Sequence, residues 1–430
     1  MNIQTHTKNQ QKYCHKTLFH KTLFHKTLFS SSCIKRKIQN PIQPTNQPTM
    51  LKLLQENAHL MDKQLFFDEA PHEYYIDGDK NNVISTTTFI HTYFPSFDPI
   101  KVSERIVTSK NYMYGKYAGM TPEEIRKQWE NTAFQASNAG TITHRRIELF
   151  YNDVREVYIH NETGQQYEVD ELTVTDIVTN KHLYTTKLLP RDTYEKLPNG
   201  SIINKRTQQP DRDTEFNYFL RFYFDHKHLT PYRTEWEVFD PELRIAGSID
   251  MVFRRDDGQL ELGDWKRTKE ITKVNDYPED SRGYYTLEHL PASNFWQYSL
   301  QLNIYRTILE KYYGQRIAQM YLIWLNKINN SYVKFIIPRL DYEVQGIMND
   351  RRLNKDCGKE RFHELIIMKH KERKQHQPNS HQQHNRSNGR SYNRTYKSYN
   401  RQYNKSNTSY DQSDGNEQSE TNDIPDECVF

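Results

Sequence analysis

No run of 18 or more apolar residues occurs anywhere in the 430-residue chain, which excludes a membrane-spanning helix. Cysteine is nearly absent: Cys14, Cys33, Cys357 and Cys428 stand far apart, with no C-x-x-C pair. That excludes a disulfide framework and a paired-cysteine zinc site, and it points to a reducing, intracellular compartment. Apolar residues are scarce too: at 35% they are too few for a wholly globular chain, so part of it is expected to stay unfolded. Acids are missing altogether from residues 1–55, which hold eight Lys and one Arg.

The rest of the charge is also partitioned. Residues 371–410 carry nine bases and one acid, and residues 411–430 carry seven acids. Because the whole chain is +4, the body from 56 to 370 is left at −6. An acidic body between basic arms suits an enzyme that binds a polyanion and gathers carboxylates around cations. It equally suits an ordinary acidic enzyme with sticky tails. The first arm repeats HKTLF three times over 15–29, a five-residue period that fits neither a helix face nor a strand face. It reads as a disordered extension, or as a transit peptide built on Lys instead of Arg. The Pro/Gln/Asn stretch near 40–49 reads as linker. The tail beyond 371 loses its aliphatic residues, and "RSYNRTYKSYNRQYNKSN" interleaves bases with tyrosines. Such a composition can track a phosphate backbone and stack on bases, or it can be an inert polar tail.

Three segments follow: a basic extension (1–55), a folded body (56–370) and a disordered tail (371–430). Within the body, Thr121 as N-cap, Pro122 and Glu124 open a helix, and a second helix is expected from Thr141 to about Asn152, after Gly140. Residues 153–213 read as an irregular excursion. A helix near 214–226 precedes strands near 232–239, 244–254 and 259–266. A long helix near 294–313, strands at 318–327 and 331–337, and a helix near 341–353 complete an α/β pattern with a mixed sheet.

One hairpin carries the chemistry. In "RIAGSIDMVFRRDDGQLELGDWK" the turn is Asp256-Asp257-Gly258, with Gly in the left-handed position of a three-residue loop. That turn sets Arg255 against Gln259, and hence Val252 against Leu262, Asp250 against Asp264 and Ser248 against Lys266. Opposed strand residues have Cβ atoms about 5 Å apart, and like charges there are destabilising. Two facing carboxylates beside an apolar layer need a proton or a divalent cation between them. An acid two residues before a lysine is otherwise cheap, because Asp225/Lys227 and Glu372/Lys374 show the same spacing outside any such setting. Most such pairs are solvated and contribute little.

A strand "GSID", a turn and an apolar strand ending "GDWK" resemble the core of the PD-(D/E)XK nuclease superfamily. Three further pieces resemble its RecB-type exonuclease branch: "GTITHRRIE", which carries His144; "QYSLQLNIYRTILEKYYG", with Gln301 and Tyr305 four apart; and "HEYYIDG…VISTTTFI" near 72–90. The last looks like the opening of viral, phage and mitochondrial members. The resemblance spans roughly 65–355 and implies a restriction-endonuclease-like α/β fold, a mixed central sheet flanked by helices. It implies an Mg²⁺- or Mn²⁺-dependent nuclease, most simply a DNA exonuclease in DNA processing, repair or recombination, with a non-cleaving nucleic-acid-binding module as the alternative. His144, Asp250, Asp264 and the Trp265 carbonyl would hold one or two ions. Lys266 would hold or deprotonate a water, and Gln301 and Tyr305 would grip a DNA strand that is single or has a free end. Glu148 is an accessory candidate, as are Glu235 and Glu237, with Glu237 favoured. Some relatives hold an iron–sulfur cluster on four cysteines; the scattered cysteines here predict none.

Overall fold

A computed structural model of the chain describes residues 51–68, 71–172, 180–274 and 282–376. The expected extension and tail therefore lie outside the described residues, apart from 51–55 and 371–376. The chain divides into a compact unit running to His363 and a second unit, Glu364–Cys428. Only 364–376 of the second is described, and it is helical.

The folded body starts earlier than expected. Helix α1 (Lys52–Glu56) buries Leu53 in the main cluster, and the Leu53 N–H donates to Asn152 Oδ1 at 2.9 Å. Strands β1 (Leu65–Asp68) and β2 (Glu73–Ile76) pair antiparallel. Strand β3 (Ile84–Ser85) leads into α2 (Thr86–His91), capped by Ser85 Oγ accepting from the Thr88 N–H. After α3 (Pro99–Val107) comes α4 (Pro122–Tyr151), opened by the expected Thr121/Glu124 capping box. At 30 residues it is one rod of about 45 Å rather than two helices. Gly140 does not interrupt it: a glycine inside a helix costs only about 1 kcal/mol, and the flanking turns propagate through it.

The excursion is ordered, correcting the expectation of irregular chain. Strands β4 (Val154–His160), β5 (Gln166–Glu168) and β6 (Tyr184–Pro190) form a three-stranded sheet, and β7 (Tyr194–Lys196) pairs β8 (Ile202–Asn204). Its small core is Tyr158, Val169 and Leu172. Arg155 of β4 pairs with Glu168 of β5, and β6 is largely exposed, so the strands read as polar.

Helix α5 (Thr214–Asp225) is capped by Asp213 and is followed by β9 (Thr230–Asp240), β10 (Ile245–Arg254) and β11 (Leu260–Lys266). Helix α6 (Asn294–Tyr312), strands β12 (Ile317–Trp324) and β13 (Val333–Ile336) and helix α7 (Asp341–Leu353) follow close to their predicted bounds. The central sheet runs β13-β12-β11-β10-β3, with β9 also on β10. It is mixed: β11 pairs β12, and β3 pairs β10, in parallel, and the other pairings are antiparallel. Met251, Phe253 and Trp265 pack with Ile147, Phe150 and Tyr151 of α4 and Phe219 and Phe222 of α5. This burial anchors α4 beside the sheet and sets where His144 comes to lie.

Candidate active site

The hairpin register is as the turn dictates: Val252 faces Leu262, and Gly258 takes φ +81°. The β10–β11 ladder runs only from Arg254/Leu260 to Met251/Gly263. One edge of β10 is taken by β9, so β3, which pairs Ile245 and Ala246, shares the other edge with β11. Residues 247–250 lie between these two partners. Here the strands part, and Asp250 accepts from the Trp265 N–H at 3.0 Å through its side chain instead of pairing through its backbone. The expected face-to-face Asp250/Asp264 rung is thereby left outside the paired ladder.

Three elements meet at that opening. His144, one helical turn before Ile147 on α4, lies with Nε2 2.9 Å from the Trp265 carbonyl oxygen. A carbonyl only accepts, so Nε2 carries the hydrogen. The other ring nitrogen, Nδ1, is 3.3 Å from Asp250 Oδ2 and 3.8 Å from Glu235 Oε1. A neutral ring would then aim a lone pair at two carboxylates. Either a proton on Nδ1 or a cation among the three resolves the repulsion. Ligand atoms of His144, Glu235 and Asp250 all lie within 4.8 Å of one another. Glu235 reaches the cluster from a left-handed backbone, φ +44°, within β9. For a non-glycine residue that conformation costs about 1–3 kcal/mol, and such strain collects at functional sites.

Asp264 sits beside this trio and is almost fully buried, its side chain 4% exposed. Its Oδ2 forms an ion pair with Lys266 Nζ at 2.7 Å. Burial pushes the Asp264 carboxyl up to about 6, with Lys266 opposing the rise and Asp250 adding to it. Burial works against the Lys266 ammonium, but Asp264 and then Asp250 outweigh it and raise its pKa. Lys266 is therefore a charged donor in this arrangement. Its Nζ also stands 4.3 Å from the centre of the Tyr298 ring on α6.

The donor set of His144, Glu235 and Asp250, one imidazole nitrogen and carboxylate oxygens within 4.8 Å of one another, fits a hard divalent cation. A profile of the PD-(D/E)XK nuclease superfamily matches residues 110–403, more than half of the chain.

The chain belongs to the PD-(D/E)XK nuclease superfamily.

No curated protein matches it. Among solved structures, a candidate exonuclease from Eubacterium rectale is 10% identical over 76% of this chain and 88% of its own, with a TM-score of 0.25. The protein SSO0001 is 11% identical over 65% and 79%, with a TM-score of 0.23. Likenesses this distant carry no argument about substrate.

Within this nuclease domain the structure brings together His144, Asp250, Asp264, the Trp265 carbonyl and Lys266. Two accessory expectations and one strand-gripping expectation are at odds with the geometry. Glu235 joins the trio where Glu237 was favoured: Glu237 stands opposite Ser248, two residues along β9, while Glu235 stands level with Asp250. Glu148 turns instead to Arg145 at 3.0 Å, in a buried cluster with Glu156, so helical spacing from His144 does not bring it in. Tyr305 is 2% exposed and cannot lie along a strand from solvent; its hydroxyl accepts from Gln301 Nε2 at 3.2 Å. Tyr298 was missed. It sits three residues before Gln301 on the same helix face, a spacing that could have found it.

Proposed function

We propose that this nuclease is a divalent-metal-dependent deoxyribonuclease of the RecB-type branch, acting as an exonuclease on single strands or free DNA ends in DNA processing, repair or recombination. The reading rests on the convergence of His144, Glu235 and Asp250 beside buried Asp264 and charged Lys266. His144, Glu235, Asp250 and Asp264 would hold Mg²⁺ or Mn²⁺, with the Trp265 carbonyl next to them. When bound, such an ion supplies Lewis acidity toward the scissile phosphate and makes water a better nucleophile.

The protein's own groups do the rest. The Nε2–H donation to Trp265 fixes the His144 ring and points Nδ1 at the carboxylates. Asp250, held by the Trp265 N–H, keeps one carboxylate oxygen in place without a mobile partner. Lys266 donates to a water or phosphate oxygen and offsets the negative charge that grows during hydrolysis. Gln301, half-buried and tied to Tyr305 Oη, uses its remaining amide capacity on the strand backbone.

End-labelled linear DNA and covalently closed circular DNA, each incubated with Mg²⁺, Mn²⁺ or EDTA, test the proposal. Linear DNA should shorten from its ends with either metal, circles should survive, and EDTA should stop the reaction. Binding without cleavage in both metals would establish a non-cleaving module instead.

A further inference from the structure

We propose that Tyr298 is a positioning residue for Lys266: its ring face is a wall that holds the ammonium over the Asp264 carboxylate. This inference rests on the nuclease reading above. Lysine reaches its target through four flexible carbons and is a point charge without preferred direction. The 2.7 Å ion pair to Asp264 Oδ2 holds the ammonium at a single point. The second restraint is the Tyr298 ring, with Nζ 4.3 Å from its centre, well inside the range at which a ring quadrupole attracts a cation. An aromatic face suits this task. It attracts the ammonium yet accepts no proton from it, so the donor hydrogens stay free for water or phosphate.

The helix makes the wall stiff. Tyr298, Gln301 and Tyr305 recur at i, i+3 and i+7 on α6, one face of a helix. Tyr305 is buried, bonded to Gln301, and its ring end lies where a Cβ on Gly247 would be, 2.5 Å from Oη. Buried Ser299 and Leu300 follow Tyr298 directly and lock its turn into the core. Ring and lysine thus come from two rigid elements, α6 and β11, and meet beside Asp264.

A mutant cycle on the full-length protein tests this, read by single-turnover cleavage of end-labelled linear DNA with Mn²⁺. Tyr298→Leu should lower the maximal rate about tenfold and leave half-saturating DNA unchanged within about twofold. Tyr298→Phe, which keeps the ring face, should recover most of the loss. In a Lys266→Ala background, Tyr298→Leu should cost nothing more, because the group it positions is gone. The Mn²⁺-induced rise in melting temperature should persist in every Tyr298 variant. Tyr298→Met serves as a second non-aromatic probe if the leucine variant folds poorly. Equal losses in the parent and Lys266→Ala backgrounds, or a Phe variant as slow as Leu, would overturn the proposal by showing a structural role or a role for the hydroxyl. A parent protein that does not cleave at all would overturn the nuclease reading itself, which is a separate result.

Discussion

Lys266 is held by charge on one side and by an aromatic ring on the other, and this sets it apart from the chain's other acid-x-lysine pairs. Lys227 points over Phe224, and its neighbour Asp225 binds Lys196 at 2.9 Å instead. Lys266→Ala should keep DNA and metal binding near normal while single-turnover cleavage falls by ~10²-fold or more, the scale for a positioned proton-handling group. Lys266→Arg should rescue poorly, since the guanidinium is planar and larger. Lys227→Ala should cleave like the parent. Asp264 carries a pH signature. Its pKa in the folded protein, about 6, lies above its ordinary 3.8. The folded state therefore holds a proton that the unfolded state has lost, and stability falls as pH rises between about 4 and about 6. Urea denaturation of metal-free protein should show the parent losing stability relative to Asp264→Asn across that window; parallel curves would contradict it. At this scale the sequence was informative where a period or a register decides. The nearness of Asp250, Asp264, Lys266 and His144 followed from the turn and the motif order, although the expected Asp250/Asp264 rung is not part of the ladder. The choice between Glu235 and Glu237 was not, because both share a strand face and the left-handed turn at Glu235 leaves no mark in the pattern.

Among the elements, β10 governs the site by exchanging partners along one edge, from β11 to β3. The exchange leaves room for Tyr305 of α6 to close on Gly247, where an added Cβ would lie 2.5 Å from Oη, 2.8 Å from Cε1 and 3.0 Å from Thr86 Oγ1. Gly247→Ala should therefore destabilise the domain by about 1–3 kcal/mol, the usual scale of overpacking. Urea unfolding would measure it, and parental stability would mean that α6 is not seated against β10 as described. The long helices and the hairpin were legible because periodicity and turn chemistry are strong over such lengths. Two features were not. The β4–β6 strands are hidden by polar, exposed side chains and the Arg155–Glu168 pair, and Gly140 suggested a break that helix propagation overrides. Partner exchange on β10 is a tertiary event with no local signal.

Across the whole molecule, charge is divided between an acidic body, a basic N-terminal arm and a C-terminal arm whose basic stretch, 371–410, gives way to an acidic one, 411–430. No described helix is long and apolar enough to cross a membrane. If the ends supply nonspecific affinity through counterion release, shortening the chain to 51–376 should flatten the salt dependence of DNA binding and leave the cleavage step unchanged. Equal salt slopes would make the ends bystanders. Helix α1 must be kept in such a shortened protein, because Leu53 is part of the core. Thermal unfolding with and without Mn²⁺ tests most directly whether His144, Glu235 and Asp250 hold the ion on which cleavage depends. The parent should gain roughly 2.7 kcal/mol at a hundredfold excess over Kd. Asp250→Asn should lose both the gain and cleavage, Glu235→Gln should lose most of each, and Glu237→Gln should keep both. A full Mn²⁺ gain in Asp250→Asn would place the ion elsewhere than between His144, Glu235 and Asp250.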